Sequence, residues 1–303
     1  MEAIEKICDS VRFTREQRRT AEEAMEKLIA GWGYPVQIEG DGRNHRQIVV
    51  GDPEHAGIMV TAHYDTPSRK MMPGLEVPLN PAFHGLYQLI CAVVYMIPAL
   101  IVMLLVTQLI RNPRIGLAAF LICYVLTLAA LRNAAANRNN RNASSGLKAV
   151  LCLLKSLPEE KRSHLCVVLF DDGEKGHRSA REFGMTHPRE QHMRFSICLD
   201  RVGRGSHLLL IASDQAQKCM GFGRLKRLVE ENTAMHGRVA DSRRCVMSRD
   251  ARLFRCGCQI TVLEKKLLGL VHSALNTPGD NVCEENCISQ VVLLMRNLLD
   301  AVE

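Results

Sequence analysis

Residues 86–110 read LYQLICAVVYMIPALIVMLLVTQLI, 25 residues without a charge. Residues 115–131 add IGLAAFLICYVLTLAAL, with only RNPR between the two runs. A helix needs about 20 apolar residues to cross the hydrocarbon of a bilayer, so the first run spans with room to tilt and the second lies at the lower limit. Core helices of soluble proteins carry a polar stripe, and neither run has one. The chain is therefore expected to carry a transmembrane helical hairpin over residues 84–132, with spans at about 86–110 and 115–131. Tyr87, Tyr95 and Tyr124 are its interfacial anchors. Arg69, Lys70, Arg132, Arg138, Arg141 and Lys148 flank its outer ends, against Arg111 and Arg114 in the turn. By the positive-inside rule both flanks face the cytoplasm, which predicts an integral protein of the plasma (inner) membrane with a cytoplasmic globular domain.

Outside the hairpin the chain has the composition of a folded protein. Its 303 residues are 47% hydrophobic and 23% charged, which excludes wholesale disorder and fibrous classes. The net charge of +7 is scattered. Around Arg132, Arg138 and Arg141 no aromatic side chains interleave for base stacking, so no nucleic-acid partner is expected. The N-terminus MEAIEKICDSVRF has no apolar run, and no secretory signal is read there. The twelve cysteines are therefore expected to be reduced, cytosol-facing thiols. Cys256/Cys258 and Cys283/Cys287 lack the CxxC spacing of a zinc knot, and a thiol or zinc-knot regulator has little beyond cysteine number behind it.

The remainder alternates between two periodicities. Helical spacing over 15–30 begins after Thr14, with Ala21, Ala24, Leu28 and Ile29 on the apolar side, and stops at Gly31. Apolar strands are predicted at 47–50, 58–62, 164–170, 196–199, 208–212 and 259–263, with helices at 146–157, 218–231 and 286–302. Continuous apolar strands between helices predict an α/β fold: a mixed, mostly parallel sheet covered on both faces, with ligands at the carboxyl ends of its strands. Residues 1–80 and 133–303 would form one discontinuous domain around the hairpin.

Three of those strands run into polar clusters. IMVTA leads into His63-Tyr64-Asp65-Thr66-Pro67, HLCVVLF into Asp171-Asp172-Gly173-Glu174, and SICL into Asp200. A histidine and carboxylates at neighbouring strand ends suit a metal or an acid/base site, in which the Asp65 carboxylate orients a ligand or binds beside it.

Five segments in order, VTAHYDTP, NRNASSGLKAVL, VVLFDDGEKG, ICLDRVGRG and NTPGDNV, resemble the motifs of the family-28 zinc metallopeptidases. The chain looks specifically like the membrane-attached bacterial members with a hydrophobic insert after the first motif. The resemblance implies a zinc aminopeptidase-like fold and a site where two zinc ions activate water with a glutamate as general base. Carried over residue by residue, His63, Glu174 and Asp200 match metal ligands, and Asp65 matches the carboxylate that orients His63. Asn142 fills the slot of the aspartate that bridges both metals, and Asn276 the slot of the last histidine. Gly173 stands where the general base should be.

A neutral amide cannot replace a carboxylate shared by two dications, so the resemblance implies one zinc ion or none. Asp172, beside the empty base position, is a candidate substitute base. His177 and His272 are spare imidazoles, expected to be surface residues of a decayed site. The expected function is that of a membrane-anchored metallopeptidase-like protein of the aminopeptidase class with reduced or lost activity. The alternative is an inactive relative that binds a peptide, a metal or a membrane partner. The partners implied are the lipid bilayer and a peptide.

Overall fold

The computed structural model describes residues 1–40, 46–70, 72, 74–132, 136–138, 140–171 and 177–300, with the side chain of Arg132 left aside. In chain order the first elements are α1 (Glu2–Asp9), α2 (Arg15–Ala30), β1 (Val36–Glu39), β2 (Gln47–Val50), β3 (Ile58–His63) and β4 (Gly74–Glu76). The long helices α3 (Pro81–Ile110) and α4 (Pro113–Arg132) follow. Then come α5 (Ser145–Ser156), β5 (Leu165–Phe170), α6 (Arg178–Thr186), α7 (Pro188–Met193), β6 (Phe195–Leu199) and β7 (His207–Ala212). The chain continues with α8 (Phe222–Glu230), β8 (Arg238–Asp241), α9 (Arg249–Leu253), β9 (Gly257–Lys266), β10 (Gly269–Leu275) and α10 (Glu285–Leu299).

Strands from both sides of the hairpin share one mixed sheet, ordered β1-β2-β5-β3-β6-β9-β10-β4, with β7 and β8 branching from β9. Its centre is parallel (β5, β3, β6 and the start of β9), the β1 and β4 edges are antiparallel, and β8 pairs parallel with β7. Each predicted strand and helix is present with ends within a few residues of the pattern. The α2 helix, for example, starts on a capping box in which Thr14 accepts from the Gln17 N–H.

Side-chain alternation on the central strands splits the core. Ile58, Val60 and Ala62 of β3 join the cluster that packs under α1, α2, α5, α8 and α10. Met59 faces the other way, with Cys166, Val168 and Phe170 of β5, against Phe183 of α6 and Phe254. Cys198 shares that second face with Met247 and Ala251 near α9. Period two then settles where the strand ends point. His63 follows Met59 and Thr61 onto the α6/α9 face, and Asp200 follows Cys198.

Among the described residues two helices are apolar and long enough to cross a membrane, with mean hydropathies of 2.9 and 2.1. They pack on each other and leave Leu89, Leu104, Leu109, Ile122 and Leu126 exposed. Large apolar side chains exposed along both helices do not fit a pair of buried core helices. Not every flanking charge stays available beside them. Lys148 is buried in α5, where it pairs with Glu5 at 2.7 Å and with Glu285, and Arg141 pairs with Asp9 at 2.9 Å. Arg69, Lys70 and Arg138 remain exposed.

Candidate functional site

A cavity of about 570 Å³ opens at the carboxyl ends of β3 and β6. His63, Asp65 and Asp200 line it, so three residues placed together by sequence reasoning do share one space. Its wall is completed by Glu76 of β4, His272 of β10, Gln259 of β9, His177 ahead of α6, and the 246–252 segment around Asp250. His84 and Gln88, on the first turns of α3, lie at its rim. The apolar hairpin therefore leaves the fold beside this cavity.

The turn after β3 is held from below by Arg12, a fully buried guanidinium that donates to the carbonyls of Tyr64 and Ile7, to the Ser10 carbonyl at 2.6 Å and to the Ser144 hydroxyl at 2.5 Å. The Arg12 N–H donates to the Thr66 hydroxyl at 2.8 Å, and Thr66 returns a bond to the Arg12 carbonyl. The His63–Thr66 turn is thus anchored at Tyr64 and Thr66, which leaves His63 and Asp65 to face the cavity.

His63 meets Asp250 through Nε2, and the other Asp250 oxygen lies 2.6 Å from His177 Nδ1. On its far side His63 Nδ1 lies 3.9 Å from Asp65 Oδ1. Asp250 is almost wholly buried, a position that a carboxylate holds only when compensated. The two imidazoles provide that compensation. Nothing in the sequence marked Asp250. It sits in a five-residue helix rather than at the end of an apolar strand, and its only local sign is Ser248, whose hydroxyl caps α9 through the Ala251 N–H. Gln259 fixes the same segment from β9 by accepting from the Ser248 N–H at 2.7 Å.

The two spare histidines are not surface residues. His272 is buried and shares a 2.8 Å hydrogen bond with Thr261, and His177 is largely buried against Asp250. Loss of solvent, reinforced by Arg201, drives the His272 pKa down to about 4 against the pull of Glu76 and Glu264. It is a neutral imidazole at physiological pH. Desolvation opposes the charge of Glu76, but Arg201, His272, Lys70 and His84 outweigh it and hold that carboxyl below its ordinary value. Arg201 bonds Glu76 at 2.9 Å and lies 3.5 Å from Asp200. His177 and Arg201 both have positive φ (55° and 52°), a backbone state that costs a residue with Cβ about 1–3 kcal/mol and concentrates at functional sites.

Asp172, Gly173 and Glu174 lie outside the described residues. Asp171 is buried away from the cavity and pairs with Arg18 of α2 at 3.0 Å. Asn142 is buried ahead of α5 and does not line the cavity, and among the described residues its amide oxygen has no hydrogen-bond partner. Asn276 is wholly buried in the turn after β10, at φ 57°, with its N–H donating to Asp280. Among the described residues only one group of three possible metal donors gathers, and Asn142 and Asn276, which the sequence resemblance implies as ligand positions, are neutral amides that do not line the cavity.

No protein-family model matches the chain, and no curated protein sequence does. Solved structures match over nearly its whole length. A glutaminyl cyclase of Porphyromonas gingivalis is 13% identical, covering 99% of this chain and 96% of its own, with a TM-score of 0.61. A Zn-dependent exopeptidase from Parabacteroides distasonis is 11% identical, with coverages of 98% and 94% and a TM-score of 0.60. A leucine aminopeptidase precursor from Bacteroides thetaiotaomicron is 12% identical, with coverages of 100% and 96% and a TM-score of 0.55. The fold is that of the zinc exopeptidases and glutaminyl cyclases.

Proposed function

We propose that this chain is a membrane-attached, peptidase-like protein of the aminopeptidase class that takes the free amino end of a peptide into the cavity beside its hairpin, with two-metal hydrolysis lost. The observation that carries this reading is the split between retained and replaced groups. Asp65 and Asp200 still face the cavity, whereas Asn142 and Asn276 stand off it. Carboxylates in a walled cavity suit an ammonium group, since a hydrogen bond to a charged partner is worth about 1.5–3 kcal/mol. The two-zinc route has neither its bridging ligand nor its last imidazole. In this reading residues 1–80 and 133–303 form one domain against the cytoplasmic face of the plasma (inner) membrane, and peptides reach the cavity next to the bilayer.

The test compares one peptide with its N-acetylated form by titration calorimetry on the full chain in detergent. The free form is expected to bind about tenfold or more tightly, and Asp200→Asn to remove the difference. Aminoacyl chromogenic substrates are expected to show no chelator-sensitive turnover with added zinc. Equal binding of the acetylated peptide refutes amino-end capture, and chelator-sensitive turnover refutes the loss of hydrolysis.

A further inference from the structure

His63, His177 and Asp250 come from three separate elements, the end of β3, the residue before α6 and the first turn of α9, and converge at one point of the cavity wall. One donor atom from each lies within 4.8 Å of the others. Tetrahedral zinc, with bonds of about 2.0–2.2 Å, holds neighbouring donors a little over 3 Å apart, so side-chain adjustment alone brings this set to the required spacing. Two neutral imidazoles and one carboxylate form an N2O donor set that suits zinc and its neighbours in the first transition row. Only one of the three, His63, matches a ligand slot implied by the sequence motifs.

We propose that His63, His177 and Asp250 bind a single zinc-class divalent cation, displaced from the two-metal position of the fold. Three further observations support the site. Asp65, near His63 Nδ1, faces the nitrogen that carries the proton when Nε2 is the ligand, which is the usual partner of a metal-bound histidine. Three protein ligands beside a cavity leave the fourth position open to solvent or ligand, as in reactive rather than structural zinc sites. Binding also stabilises the Asp250 charge in a place where burial alone opposes it. The competing arrangement is a metal-free His-Asp-His hydrogen-bond bridge, in which both imidazoles donate to the carboxylate.

The experiment uses the full chain in detergent, stripped with a chelator and titrated with zinc against a chromophoric competitor, and in parallel with cobalt, whose visible spectrum reports coordination. One equivalent of zinc and a four-coordinate cobalt spectrum are expected. Loss of partners outside the ligand set commonly costs 10–100-fold in affinity, so loss of a ligand in His177→Ala or Asp250→Asn should cost about 100-fold or more. Asn142→Ala and Asn276→Ala are expected to keep one equivalent. Where Asp250→Asn unfolds the chain by circular dichroism, His177→Gln carries the comparison. No bound zinc, two equivalents, or undiminished affinity in the His177 and Asp250 variants overturns the proposal. Each readout is independent of peptide binding.

Discussion

Burial sets the chemistry of single residues here more than local sequence does. His272 illustrates this, because its pKa of about 4 lies below the ordinary value of 6.5 and the unfolded chain takes up the proton first. The folded-state value is depressed, so the associated stability is present in full above about pH 6.5 and declines as pH falls from there toward 4. Complete loss corresponds to about 3 kcal/mol. Denaturation midpoints of the wild type are therefore expected to fall between pH 6.5 and 4 more steeply than those of His272→Gln, and parallel curves would contradict this. His63, Asp65 and Asp200 were legible in the sequence because each ends an apolar strand, where chain direction fixes what faces the ligand side. Asp250 and Arg12 were not. Asp250 meets His177 73 residues away, and Arg12, besides the nearby Ile7 and Ser10 carbonyls, reaches Ser144 132 residues away, so no local pattern carries the contacts that place them at the site.

At the level of elements, the segment NASSGLKAVL makes sense as packing as much as chemistry. A Cβ on Gly146 would sit 2.2 Å from the Leu199 carbonyl oxygen and 3.7 Å from the Ala62 side chain, so only glycine lets the start of α5 lie between the ends of β3 and β6. The clashing atom is backbone and cannot swing away. Gly146→Ala is expected to destabilise the fold by about 1–3 kcal/mol, the ordinary cost of overpacking, and to disturb the His63 and Asp200 strand ends together. Thermal denaturation checks it, and an unchanged midpoint would mean that α5 shifts freely. The central strands were readable as continuous apolar runs, α2, α5, α8 and α10 because each buries an apolar face, and α3 and α4 because they are apolar all round, whereas β10, half-buried and without a regular alternation, was not read. The edge strands β1, β4 and β8 were not, since they are three or four residues long and only partly buried, too short to show a period.

For the whole molecule, the decisive constraint is that β3 precedes the hairpin, β5 and β6 follow it, and all three pair in one sheet. The hairpin must therefore return to the side it left, so α3 and α4 either both cross a bilayer or neither does. Thirty residues make α3 about 45 Å long and twenty make α4 about 30 Å, enough for both to span. Close pairing supports them as a unit. A Cβ on Gly116 of α4 would strike the Thr107 hydroxyl of α3, so the glycine sets a near approach of the kind that small residues provide between membrane helices. Folded, Lys148 and Arg141 are engaged by acidic partners, yet orientation is decided as the hairpin inserts, when both still count as basic flanks. The sheet-bearing side is accordingly expected to be cytoplasmic and the Arg111–Asn112 turn to be outside. A membrane-impermeant thiol reagent on intact cells should label Asn112→Cys and leave Arg69→Cys unlabelled until the cells are opened. The measurement uses a background in which the half-buried Cys123, Cys152, Cys219 and Cys283 are replaced by serine, which leaves only buried native thiols. Labelling of Asn112→Cys only after lysis would reverse the orientation if Arg69→Cys labels in intact cells, and would mean that the hairpin does not cross if neither position does. Labelling of both positions in intact cells would place the sheet outside as well, and the hairpin then could not be crossing the bilayer.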